Sequence, residues 1–188
     1  MRAFEVVQFS YWRDNPASDS SEAGFHRWAK ISGFVAMTLE TQLRRTDARS
    51  DSPDNLIRGR FLTDLVGVRP LSGEHWVALA RNNRLLGQLG KPMLDALAMS
   101  EITGPNELAA KWQRCMLGIF EWGLLTPEHQ AHTADDLSAM IRDSVIGGSG
   151  VLALRDVFGL VPNGTKSAIT RLLSDQGVSR KDLIHIGL

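Results

Sequence analysis

From Asp19 onward, apolar residues recur at steps of three and four, with short polar clusters between the runs. Asp19 and Glu22 have the spacing of a capping box. Phe25, Trp28, Val35, Leu39 and Leu43 continue from it as one stripe, which predicts a long helix ending near Arg45. Residues 46–52 break the pattern, and Ser52-Pro53 restarts it with a proline suited to a first helical turn. Leu56, Ile57, Phe61 and Leu65 form that stripe, with Gly67 as its left-handed stop. Ser72 opens the next helix, which carries Trp76, Leu79, Leu86 and Leu89 and closes at Gly90 and Pro92. A short helix over 93–99 follows. Past the turn residues Thr103-Gly-Pro-Asn106, the positions Leu108, Trp112, Cys115, Ile119 and Phe120 mark the most apolar helix of the chain.

Thr126-Pro127 and Thr133 signal two further starts, the second leading into Leu137, Met140, Ile141 and Val145. Gly147-Gly-Ser-Gly150 is the clearest break. Beyond it the pattern predicts a helix over 151–158, a turn at Pro162-Asn-Gly164, a helix over 165–176 capped by Thr165, and a last helix from Ser179. Residues 3–12 fit a strand or a helix, because periodicity does not separate the two there. The expected fold is therefore all-α. It is an irregular bundle of about eight helices with an N-terminal strand as its one candidate β element, and it ends in a helical hairpin or helix-turn-helix-like unit. The glycine run at 147–150 divides the chain into a main helical domain, 1–146, and a C-terminal helical subdomain, 151–188.

Composition narrows the class. Of 188 residues, 43% are hydrophobic and 22% charged, which suits a globular core that needs no staples. The single cysteine, Cys115, makes no internal disulfide, and the residues after Met1 lack a secretory pattern. No apolar run approaches the roughly 18 residues of a membrane span, so a cytoplasmic protein without a membrane partner is expected. Formal charge is zero, which disfavours a dedicated duplex-DNA binder. Residues 1–94 nevertheless hold thirteen basic against ten acidic residues, and 95–188 hold eight against eleven. Arginine, the better phosphate fork, supplies most of that surplus at Arg44, Arg45, Arg58, Arg60, Arg81 and Arg84, with Asp47, Asp51, Asp54 and Asp64 among them.

Candidate chemistry is sparse. Gly159-Leu-Val-Pro-Asn-Gly164-Thr-Lys166-Ser167 resembles a phosphate-binding loop, but Thr165 separates the glycine from the lysine and the preceding segment reads as helix. His129 and His132, with Asp135 and Asp136, are metal-ligand types at helical spacing, yet an N-cap at Thr133 breaks their common face. Neither metal nor cofactor is expected. Cys115 sits among apolar residues and reads as a core thiol. No nucleophile elbow, zinc-protease pair or dinucleotide fingerprint occurs, so an enzyme is not the expectation. Residues 167–186 resemble a helix-turn-helix: Gly177 permits the turn, and Val178, Leu183 and Ile186 fall on its apolar positions. Leu173 is bulky for that crossing and Asp182 would face phosphates, so a plain hairpin is the preferred reading.

These features predict a non-enzymatic helical binding protein working within a larger assembly. The leading expectation is a nucleic-acid-associated accessory subunit or regulator. It would contact an RNA or DNA backbone through Arg44, Arg45, Arg58, Arg60, Arg81, Arg84, Arg180 and Lys181. The alternative is a protein–protein adaptor or chaperone without nucleic-acid contact. A protein partner is expected in either case, anchored by Trp12 and Trp122, which fall off the apolar stripes.

Overall fold

A computed structural model describes residues 33, 35–41, 43, 54–142 and 148–188. The strand-or-helix segment 3–12, the capping box at Asp19, Arg44, Arg45 and Trp12 lie outside these residues. Residues 35–41 are helical, with Ala36 fully buried and Val35 and Leu39 half-buried. The remaining elements are α1 (Asp54–Val68), α2 (Gly73–Leu85), α3 (Lys91–Thr103) and α4 (Leu108–Phe120). After a single 3-10 turn (Trp122–Leu124) come α5 (Pro127–Arg142), α6 (Gly148–Leu160), α7 (Asn163–Asp175) and α8 (Arg180–Ile186). The fold is all-α, and no strand occurs among the described residues.

Several boundaries differ from the sequence pattern, each for a local reason. α1 runs through Gly67 to Val68, and its buried positions are Asn55, Leu62, Leu65, Val66 and Val68. The predicted stripe residues Leu56 and Ile57 are exposed, because apolar residues lie all round this helix and the neighbouring α2 chooses the face. α2 stops at Leu85, before Leu89. Pro92 does not close α2; it lies in the first turn of α3, where a missing N–H breaks no bond, and α3 extends to Thr103. Thr133 is not a cap. It lies within α5, and its hydroxyl donates to the His129 carbonyl one turn back at 2.8 Å. Pro162-Asn-Gly164 opens α7 rather than forming a separate turn, so Thr165 sits in the first turn and is not the N-cap.

The helices pack in sequence-neighbour pairs, α2 with α3 most extensively, then α1 with α2 and α4 with α5. At the α4–α5 crossing a Cβ on Gly118 would lie 2.3 Å from the Thr133 hydroxyl, so only glycine lets the helices approach this closely. One buried apolar cluster joins Ala80, Leu97, Ile119 and Leu137 to Leu154, Phe158, Leu173 and Ile186 of the C-terminal helices. Between α7 and α8, Gly177 takes φ +81°, and the Val178 N–H reaches the Leu173 carbonyl at 3.0 Å. Ser179 caps α8 by accepting from the Asp182 N–H at 3.2 Å, and α8 rests mainly on α6.

Candidate functional site

The feature that separates this bundle from a generic one is α4, which is oriented against its own amphipathic pattern. Successive residues advance by about 100° around a helix. On that wheel the two charges of α4, Lys111 and Arg114, share one side. Trp112, Met116, Ala109 and Phe120 make the opposite, apolar side. An amphipathic helix ordinarily buries the second and solvates the first. Here Arg114 is 3% exposed, while Leu108 and Phe120 are 51% and 49% exposed. Trp112, Gln113 and Met116 are half-buried, and Ala109 is exposed.

Arg114 faces inward, where its Nε and Nη1 both find acceptors. Its Nε donates to Asp136 Oδ2 of α5 at 2.7 Å. Its Nη1 donates to the Ser100 carbonyl at 3.0 Å, the Ser100 hydroxyl at 3.2 Å and the Gly104 carbonyl at 3.1 Å. The two carbonyls are at the C-terminal end of α3, where the dipole favours a cation; each also accepts a backbone N–H, Ser100 from Gly104 at 3.0 Å and Gly104 from Glu107 at 3.3 Å. One side chain of α4 thus ties α3 to α5.

Beside this clamp lies a cavity of about 280 Å³, whose wall includes Glu101, Ile102, Glu128, His132 and Asp135 as well as Arg114. Burial pushes the Glu101 carboxyl above its usual range, against the opposing pull of His132, His129 and Arg114; Asp136 adds to the rise. His132 Nε2 stands 3.9 Å from Glu101 Oε2. His129 is occupied at both ring nitrogens: Nε2 donates to the Leu94 carbonyl at 3.3 Å, and Nδ1 meets the Thr126 hydroxyl at 2.7 Å. A carbonyl only accepts, so Nε2 carries the proton. The continuous α5 removes the break that an N-cap at Thr133 would have put between His132 and the aspartates. Even so, among the described residues no three His, Cys, Asp or Glu side chains gather as metal ligands. Cys115 is fully buried, and that burial, with Asp136 nearby, drives its thiol well above the ordinary range, leaving it inert as a nucleophile.

The predicted basic contacts are dispersed. Arg84 pairs with Glu121. Arg60 is exposed on the far side of α1, beside a groove of about 410 Å³ that Leu56 and Leu86 also line. Arg180 and Lys181 are exposed on the first turn of α8. Arg58 is part-buried and donates to the Leu43 carbonyl at 3.4 Å. Its pKa is lowered first by burial and then by the charge of Arg81. Arg81 itself donates to Gln113 Oε1 of α4 at 3.2 Å. Trp122 does not stand on the surface as an anchor. It is 7% exposed because the 3-10 turn folds it onto the core, and Gln130 Nε2 donates to its carbonyl at 2.9 Å.

The chain matches no known protein family, curated protein or solved structure. The exposed row on α4 was visible in the sequence as apolar residues, but not as a surface. The one hint was the arginine on the opposite side of the same helix, and a single arginine does not reveal that Asp136 lies 22 positions ahead in reach of it.

Proposed function

We propose that this protein is a non-enzymatic helical adaptor that docks a protein partner on the outward side of α4. The observation that carries this reading is the orientation of that helix: Arg114 is held inside by Asp136, while Leu108 and Phe120 reach solvent at the two ends of a row whose middle members, Trp112 and Met116, lean against the core. Leu108, Trp112, Met116 and Phe120 are four apart in sequence, the spacing by which one helix offers a continuous ridge to another. Aromatic and methionine side chains are the types enriched in the cores of protein interfaces.

A photo-reactive residue at position 120, introduced in the cells that make the protein, tests the reading. The expected result is an adduct with one protein that disappears when Leu108→Asp is added and is absent with the reactive group at Leu71, which is 78% exposed. Adducts no stronger than the Leu71 control would count against it.

A second reading, association with a nucleic-acid backbone within an assembly, draws on one specific observation, that Arg58 lies within the field of Arg81. Against it stand the pairing of Arg84 with Glu121 and the absence of a net positive charge. Adducts to RNA or DNA in the same experiment would favour this second reading over the first.

A further inference from the structure

Glu40 joins the helical residues 35–41 to the corner between α1 and α2. Arg69 Nη1 donates to its Oε1, and His75 Nε2 stands 3.6 Å from that same oxygen. The His75 side chain is only 16% exposed, and its Nδ1 is buried with no hydrogen-bond partner among the described residues. Two further carboxylates act on the ring, Glu74 beside it on α2 and Glu107 just before α4. Glu107 accepts the Glu74 N–H at 3.1 Å, and Glu40 is taken up by Arg69. The apolar hold on residues 35–41 is small: Ala36 is fully buried, Val35 and Leu39 are half-buried, and Met37 is 56% exposed. A segment held by so few contacts opens more readily than the bundle it rests on.

We propose that residues 35–41 form a strap across the α1–α2 corner, fastened at neutral pH and released on acidification, with protonation of His75 as the trigger. A neutral imidazole fits its place and an imidazolium does not. Facing a carboxylate, Nε2 carries the proton of the neutral ring, and Nδ1 is bare. Charging the ring puts a second N–H on Nδ1, where no acceptor waits. Nε2 cannot take up the new charge fully, because Arg69 already holds the oxygen it faces and repels a second cation there. The carboxylates of Glu40, Glu74 and Glu107 pull the other way. Burial outweighs them, and the His75 pKa is lowered. The fastened strap therefore binds this proton less tightly than a ring freed from burial does. Fastening is complete above the ordinary imidazole range, about pH 6.5, and weakens as pH falls below it.

A nitroxide attached at Met37→Cys reads the strap by electron spin resonance, because the chain's single native cysteine, Cys115, is buried. A separate label at Lys181→Cys, an exposed position of α8, reports on the bundle. Between about pH 7.5 and pH 5, the mobile fraction at position 37 is expected to rise several-fold while the label on α8 stays unchanged. His75→Gln, which cannot charge in this range, should remove the response. Circular dichroism at neutral pH confirms each fold, and His75→Phe takes the place of His75→Gln if that variant does not fold. A position-37 label that is already mobile at neutral pH, or equally immobile across the range, overturns the strap. Tightening at low pH does the same, since it would mean that the charged ring joins Glu40. A response that survives the substitution of His75 removes the trigger assigned here. Mobility rising at both labels together points to acid unfolding of the whole molecule and also overturns the proposal.

Discussion

The two sides of α4 show how differently one helix can spend the same residue types. Inside, a guanidinium is held by Asp136 at 2.7 Å and by three oxygens of Ser100 and Gly104 at the end of α3, and Leu117 and Ile119 are buried on the same helix. Outside, Leu108 and Phe120 meet solvent at about half exposure. Both sides contain large apolar side chains, so hydrophobicity does not separate them. The difference lies in partners: a buried charge is tolerable only where donors and acceptors match, and α3 and α5 supply them on one side only. The lesson is that the orientation of an apolar helix can be decided by its most demanding polar residue rather than by its apolar majority.

That contrast can be broken from the inside first. Arg114→Met leaves the Asp136 carboxylate without its arginine and removes the guanidinium's bonds to the Ser100 and Gly104 carbonyls, and should destabilise the fold by about 3–5 kcal/mol in a urea titration. A loss below about 1 kcal/mol would mean that the clamp does not set the orientation. Next come truncations of two consecutive residues, one buried and one half exposed. Ile119→Ala, at 1% exposure, should lose roughly 2–5 kcal/mol. Phe120→Ala should lose well under half as much, about 1 kcal/mol. Equal losses would show that the outward face is packed in solution.

Gly118→Ala probes the spacing between α4 and α5. Its new methyl overlaps the Thr133 side chain, for a destabilisation of about 1–3 kcal/mol. Adding Thr133→Ala should restore most of the loss, and failure to restore it would place the strain elsewhere.

The smallest effect is a pH dependence at Glu101. Its carboxyl is held above the usual range, chiefly by burial, so the folded protein binds that proton more tightly than the unfolded chain does. The resulting stabilisation is complete below the ordinary glutamate range, about pH 4, and is lost as pH rises through the higher folded value. Glu101→Gln removes this loss. The melting temperature of the variant relative to the parent should rise between acid and neutral pH. A difference that stays constant across that range would argue that Glu101 ionises normally.

Most of the helices were legible as periodicity. The turn at Thr103-Gly-Pro-Asn106 and the Ser179 cap depend on backbone chemistry confined to a few neighbouring residues, and both stand where the pattern put them. The continuation of α5 through Thr133 was not legible, because a threonine hydroxyl can cap a helix or, as here, bond back one turn to the His129 carbonyl. The arginines were legible as a cluster in sequence but not in space. Arg84 found Glu121, 37 positions away, and Trp122 folded under the turn that follows α4.

Local pattern in the amino-acid sequence determined that this chain is helical, roughly where its helices lie, and that Cys115 is a core thiol, since each of these follows from neighbours within a turn or two. Only the tertiary structure decided which side of α4 faces inward, which arginine finds a carboxylate, and which apolar side chains of α4 reach solvent. Those outcomes turn on contacts such as Arg114 with Asp136 and Arg81 with Gln113, made between elements whose approach no local pattern encodes.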